Sequence, residues 1–183
     1  MGGRLIYLMG ASGSGKDSLL EAVRERVLAA GGRIVRRVVT RSPEAVGEDA
    51  LGVSPERFEQ LLAEGAFALH WRANGLAYGI PRQIDDWLVD GRDVLINGSR
   101  GHLAAARRRY PELCAVLLTV EPQVLRQRLL ARGRETIEEI EARLARNARL
   151  PLDGEDCQRL DNSASLAQTA EALLRLIRKR ACA

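Results

Sequence analysis

The chain has 183 residues, 46% of them hydrophobic and 28% charged, with a net charge of +4; that suits one domain with a buried core and is too apolar for a disordered chain. No apolar run approaches the length of a membrane span, and the N-terminus runs directly into a strand-like segment, so neither a membrane partner nor a signal peptide is expected and the expected compartment is the cytoplasm. Aromatic residues make up only 4% and the arginines fall in separate groups, a pattern that speaks against nucleic acid and for several phosphates gripped at one site.

Apolar runs alternate with amphipathic stretches, which predicts an α/β protein with a parallel sheet flanked by helices. The first strand covers residues 5–9. A helix is expected over 17–30, with Leu19, Leu20, Val23, Val27 and Leu28 at helical spacing and Gly31-Gly32 ending it. Residues 33–40 read as a second strand, and 41–53, with Pro43, Gly47 and Gly52, as a loop. Ser54-Pro55-Glu56 opens a short helix, since serine caps and proline suits a first turn.

Two short strands then flank the turn Ala73-Asn74-Gly75. A helix around 81–89 stops at Gly91, and 93–96 and 113–120 supply buried strands. Residues 122–132 and 137–149 look helical, separated by Gly133-Arg134. Residues 157–160 read as a last strand, after which Asp161-Asn162-Ser163 caps a final helix reaching about residue 180. With no repeat or linker, residues 1–183 are expected to form a single domain. Cys114, Cys157 and Cys182 fit neither a disulfide framework nor a zinc spacing and are read as incidental thiols.

The chemistry-bearing motif is Gly10-Ala11-Ser12-Gly13-Ser14-Gly15-Lys16-Asp17, between the first strand and the first helix. Glycines there let successive backbone N–H groups turn toward phosphate oxygens, and the helix that follows adds its positive end. Lys16 is placed to reach the β- and γ-phosphates of a nucleotide, so ATP with Mg²⁺ is expected at residues 10–18. After the lysine this motif usually has Ser or Thr, and here stands Asp17. Its carboxylate is a hard Mg²⁺ ligand, directly or through water, and equally a favourable charge in a helix first turn; Ser18 offers the hydroxyl instead.

Beyond this loop the chain resembles the guanylate-kinase branch of the nucleoside monophosphate kinases, from about residue 5 to 146. Val39-Thr40-Arg41 is similar to the segment that places an arginine on the acceptor's phosphate. Residues 65–79 are similar to the stretch ending in a Tyr-Gly pair, here Tyr78-Gly79, whose tyrosine touches the same phosphate. Arg132-Gly133 and Arg143-Leu144 resemble the pair that closes on the transferring phosphoryl group. The resemblance implies an acceptor-binding insert at about 41–80 and a lid at about 132–143.

The base-reading groups, however, are replaced. The glutamate that reads guanine falls on Leu69, an acceptor-site tyrosine falls on Ala50, and the carboxylates at the end of the buried strand become Asn97 and Ser99. A purine edge would meet no acceptors there. Together with Gly-Lys-Asp-Ser in the phosphate loop and Asn97-Gly98-Ser99-Arg100, this resembles the ribose 1,5-bisphosphate phosphokinase family, which makes phosphoribosyl pyrophosphate from ATP during phosphonate breakdown.

The resemblance implies in-line transfer assisted by Lys16, Arg132, Arg143 and Mg²⁺, held by Asp17 or Ser18, with Arg41, Tyr78, Ser99 and Arg100 holding a small phosphorylated sugar. A phosphate oxygen needs no strong base. The alternatives are a nucleoside monophosphate kinase and a guanylate-kinase-like binding module that has lost catalysis. The oligomeric state is left open, a homodimer among the choices. Arg107-Arg108-Arg109 reads as a solvated helix face, and His70 and His102 as incidental.

Overall fold

The computed structural model describes residues 2–41, 50–133, 135–149 and 157–179. In chain order they form β1 (Leu5–Gly10), α1 (Lys16–Ala29), β2 (Arg33–Ile34), β3 (Arg37–Val39), β4 (Ala50–Gly52), α2 (Pro55–Ala63), β5 (Phe67–Ala73), β6 (Leu76–Pro81) and α3 (Gln83–Val89). Then follow β7 (Val94–Asn97), a 3₁₀ turn at Arg100–His102, α4 (Leu103–Arg109), β8 (Cys114–Thr119), α5 (Pro122–Arg132), α6 (Ile137–Arg149), β9 (Cys157–Asp161) and α7 (Leu166–Arg178).

The main sheet has five strands in the order β2-β7-β1-β8-β9, all parallel. Helices cover a parallel sheet on both faces, so its central strands are continuously apolar. In β1, Leu5, Tyr7 and Met9 face one core cluster and Ile6 and Leu8 the other, as the two-residue period of a strand demands. The second cluster adds Leu19, Val23 and Val27 of α1 and Leu173 and Leu174 of α7. The first adds Leu69, Trp71, Ile80 and Ile84, which tie a second sheet, β4-β3-β6-β5, to the main one. Truncating a fully buried member such as Leu8 to alanine would cost about 2–5 kcal/mol.

Several expectations are met locally. Ser54 caps α2 by accepting from the Arg57 amide. The β5–β6 hairpin turns on Asn74 and Gly75, both at positive φ (52° and 76°), as a two-residue Asn-Gly turn requires. Gly133, at φ 61°, ends α5.

Others are corrected. Residues 33–40 are not one strand: β2 pairs with β7, whereas β3 pairs with β4 and β6, so the chain changes sheets between Ile34 and Arg37. Ala50–Gly52, read as loop, is a strand because β3 supplies a parallel partner. The last helix is capped by Ser165, in a capping box with Gln168; Asp161 instead closes β9 and Asn162 is buried. Cys157 is a free thiol but Cys114 is disulfide-bonded, so the expectation of incidental thiols fails at Cys114. Among the described residues no helix is long and apolar enough to cross a membrane.

Candidate active site

The C-terminal ends of β1 and β7 and the start of α1 converge on one cavity of about 630 Å³, the usual location for a ligand in an open α/β sheet. Gly13 and Gly15 adopt φ of 86° and 94°, which only glycine takes without strain. A Cβ on Gly10 would stand 2.7 Å from the Leu118 carbonyl oxygen. Gly15 is the N-cap of α1 and no side chain caps that end, so the first-turn N–H groups suit an anion.

Lys16 Nζ donates to the carbonyls of Gly10 (2.9 Å) and Ala11 (3.0 Å). Burial pushes its pKa down to about 8; the Arg37 charge adds to this, Asp17 opposes it and Arg100 contributes again in the same direction. The Asp17 carboxylate accepts from Asn97 Nδ2 at 2.9 Å, and the Asn97 carbonyl accepts from Arg37 Nη1 at 3.2 Å. Asn97 Oδ1 is buried without a protein donor.

Three residues hold this machinery from behind. Asn162, 3% exposed, donates from Nδ2 to the Ser14 carbonyl at 2.8 Å and accepts from Thr169 Oγ1 at 2.9 Å. Tyr7 Oη accepts from the Ser99 amide and donates to the Ser99 carbonyl, both at 2.9 Å, and burial raises its pKa to about 12. Gly98 must lack a side chain there, because a Cβ would stand 2.2 Å from the Tyr7 ring.

Over the phosphate loop, Arg143 on α6 donates to Ser12 Oγ and to the Glu135 carboxylate. Arg146 and Asn147 follow at the spacing that puts them on the same face of α6, and both line the cavity. The opposite wall is a column. His102 stacks on Trp71 (centroids 5.3 Å apart), Trp71 on Tyr78 (5.4 Å, planes 9° apart), and the Arg37 guanidinium lies 5.1 Å from the Tyr78 centroid.

Of the residues singled out in the sequence, Gly10, Ser12, Gly13, Gly15, Lys16, Asp17, Ser18, Tyr78, Ser99, Arg100, Arg132 and Arg143 line the cavity. Ala11, Ser14 and Arg41 do not. Ala11 packs against the Leu125–Leu129–Ile140 cluster, and Ser14 is buried. Arg41 follows β3, close enough for its charge to act on Arg37.

Sequence reasoning missed Arg37, Trp71, Arg146, Asn147 and Asn162. The helical spacing from Arg143 was a usable signal for Arg146 and Asn147, and an arginine inside the apolar run 33–40 was one for Arg37. His102, read as incidental, is stacked on Trp71; Arg109, read as part of a solvated face, is indeed exposed and pairs with Asp85 at the surface. Among the described residues, the cations lining the cavity are Lys16, Arg37, Arg100, Arg132, Arg143 and Arg146, against the single carboxylate of Asp17. Such a surface takes polyanions.

A family model described as "AAA domain" matches residues 6–148. In overall shape the chain is similar to a guanylate kinase from Anaplasma phagocytophilum, with a TM-score of 0.67 at 19% identity, covering 98% of this chain and 86% of that one. It is also similar to a gluconokinase from Sinorhizobium meliloti 1021, with a TM-score of 0.53 at 23% identity, covering 98% and 95%. These likenesses identify the fold as that of P-loop kinases. In sequence the chain is 65% identical over 179 residues to Ribose 1,5-bisphosphate phosphokinase PhnN of Pseudomonas fluorescens (strain SBW25), covering 95% of this chain and 94% of the relative. It is 66% identical over 186 residues to the protein of that name in Pseudomonas paraeruginosa (strain DSM 24068 / PA7), covering 100% of both. With the complete phosphate loop and the cation-lined cavity in place, this chain is a phosphokinase and belongs to the ribose 1,5-bisphosphate phosphokinase family.

Proposed function

We infer that the chain transfers the γ-phosphoryl group of ATP to ribose 1,5-bisphosphate, giving 5-phosphoribosyl 1-diphosphate and ADP, as a step in phosphonate breakdown. The observation that carries this reading is that, among the described residues lining the cavity, six cations face one carboxylate, that of Asp17. Leu69, where guanylate kinases place their reader, is 4% exposed and packed in the core. A sugar bearing two phosphates suits that surface; a purine does not.

In this reading residues 1–183 act as one kinase unit, with an acceptor insert at about 41–80 and a lid at about 132–143. An oxygen of the phosphate on C1 attacks the γ-phosphorus in line, the new P–O bond forms as the bond to the ADP oxygen breaks, and no base is needed. Lys16, Arg132 and Arg143 neutralise the charge spread over the transferring group, while Arg41, Tyr78, Ser99 and Arg100 hold the acceptor.

Asp17 and Ser18 present hard oxygens on the cavity wall beside the orphaned Asn97 Oδ1, a donor set that fits Mg²⁺ sharing its remaining positions with phosphate and water. Bound there, Mg²⁺ would screen the β- and γ-phosphate oxygens. The cytoplasm, with its ATP and sugar phosphates, is the fitting compartment.

ADP release with ribose 1,5-bisphosphate, guanosine monophosphate or no acceptor tests the reading. Turnover is expected with the first alone. A preference for guanosine monophosphate would restore the nucleotide-kinase alternative.

A further inference from the structure

We propose that Trp71 is the specificity residue that keeps a nucleobase out of the acceptor side of the cavity, its indole standing where a base would otherwise stack. The inference rests on the base-free acceptor of the reading above and deepens it by naming what excludes the base.

Trp71 and Leu69 stand two apart on β5, so they share a face, and both belong to the core cluster that ties the second sheet to the main one. Trp71 also reaches the cavity wall. Across the antiparallel β5–β6 pair Trp71 sits directly opposite Tyr78, which brings the two rings into a stack 5.4 Å apart. His102 adds its ring to the indole at 5.3 Å, from the 3₁₀ turn at Arg100–His102. Burial, with the charges of His70 and Arg108, lowers the His102 pKa, so at neutral pH it stacks as an uncharged ring. Ser99, which leads into that turn, is fixed by its two hydrogen bonds with Tyr7 Oη. The column is therefore held from two separate stretches of chain.

Indole and purine are both flat fused bicycles of nearly the same outline. A bound base draws affinity from lying on flat groups, and every base has a face to offer. Among the described residues, the aromatic side chains lining the cavity are Trp71 and Tyr78. Their faces are taken up by each other, by His102 and, at Tyr78, by the Arg37 guanidinium 5.1 Å from its centroid. A base arriving at this wall meets ring edges instead of a platform, whereas a sugar phosphate needs no platform. Removing the indole would leave a slot between His102 and Tyr78 that opens on the cavity.

The test compares guanosine monophosphate with ribose 5-phosphate, which lacks the base and keeps the sugar and its phosphate. Both dissociation constants are measured by calorimetry for wild type, Trp71→Ala and Trp71→Leu. Adenylyl imidodiphosphate and Mg²⁺ are present to fill the ATP site, and thermal melts follow folding. Wild type should bind ribose 5-phosphate the more tightly. Trp71→Ala should lose about 6–20 °C of Tm. Relative to ribose 5-phosphate, it should bind guanosine monophosphate about five- to a hundredfold better than wild type does. Trp71→Leu, which fills more of the slot without stacking, should gain less.

A folded Trp71→Ala that keeps the wild-type ratio of the two affinities overturns the inference and marks Trp71 as a core residue only. A wild type that binds guanosine monophosphate the more tightly overturns it as well. If Trp71→Ala does not fold, Trp71→Leu decides by the same criteria. Turnover of ribose 1,5-bisphosphate by wild type, with a ratio indifferent to Trp71, overturns this inference alone. A ratio that shifts in Trp71→Ala, without wild-type turnover of ribose 1,5-bisphosphate, overturns the proposed reaction alone.

Discussion

The side-chain amide of Asn97, at the end of β7, donates a 2.9 Å hydrogen bond to the carboxylate of Asp17 in the first turn of α1. The residue that replaces a guanylate-kinase carboxylate thus orients the residue that replaces the usual loop hydroxyl. Asp17 meets the helix N-terminus favourably in any case, but a residue serving only that end would not need a buried amide to aim it. Asp17→Asn should therefore raise the Mg²⁺ concentration for half-maximal rate, and Asn97→Ala should raise it less, because the charge remains and only its orientation is lost. A magnesium dependence unchanged in Asp17→Asn would leave Asp17 as a helix-terminus residue.

Lys16 predicts a pH dependence of stability. A lysine in the unfolded chain titrates near about 10.4, whereas burial holds Lys16 at about 8 in the fold. Between those values the unfolded chain binds a proton that the native one does not, so stability rises with pH across that window; below it both states are protonated and the full burial penalty is present. Lys16→Met should raise the Tm of the ligand-free protein at pH 7, with the advantage shrinking as pH climbs from 8 toward 10. Phosphates reaching Lys16 should draw a proton onto it, so calorimetry at pH 8 in two buffers of different ionisation enthalpy should show proton uptake with ATP, absent in Lys16→Met.

What was legible in the sequence was local. The phosphate loop is written in glycines whose need for positive φ at Gly13 and Gly15 is a property of the loop itself. The apolar runs of β1 and β8 and the helical spacing of α1 likewise marked their buried residues, Leu28 of α1 excepted, which is exposed. Arg37 and Asn162 were hidden for the opposite reason. The split of residues 33–40 between two sheets is made by β7, β4 and β6, so nothing inside the run announces it. Asn162 stands 148 residues from the carbonyl it serves, and within the sequence it reads as a helix cap.

That distant contact is testable. Asn162→Leu removes the donor to the Ser14 carbonyl and the acceptor of the Thr169 hydroxyl. The Thr169 hydroxyl keeps the Asp161 and Ser165 carbonyls, each at 3.2 Å, as acceptors. The group left unsatisfied is therefore the Ser14 carbonyl, at a cost of about 1–3 kcal/mol, and for a chain of this size each kcal/mol lowers Tm by about 2–4 °C. The Tm should fall accordingly and the KM for ATP should rise, because the loop between Ser14 and Gly15 loses its anchor. A variant with unchanged ATP kinetics would reduce Asn162 to a contributor to stability alone.

Restoring the missing base reader should not restore a guanylate kinase. Leu69 is 4% exposed and packs with Trp71, Ile80 and Ile84, on the face of β5 that meets the main sheet. Leu69→Glu would place a carboxyl in that core, where burial raises carboxyl pKa by up to about 3–5 units, equivalent to about 4–7 kcal/mol at neutral pH. A hydrogen bond from guanine to that carboxylate returns only about 1.5–3 kcal/mol, so the penalty wins. The expected result is a large fall in Tm, partly recovered as pH is lowered and the new carboxyl takes up its proton, with no gain in turnover of guanosine monophosphate. A stable Leu69→Glu protein that phosphorylates guanosine monophosphate would mean that Trp71 and its stack move aside easily, and the exclusion of purines would then have to come from elsewhere in the cavity.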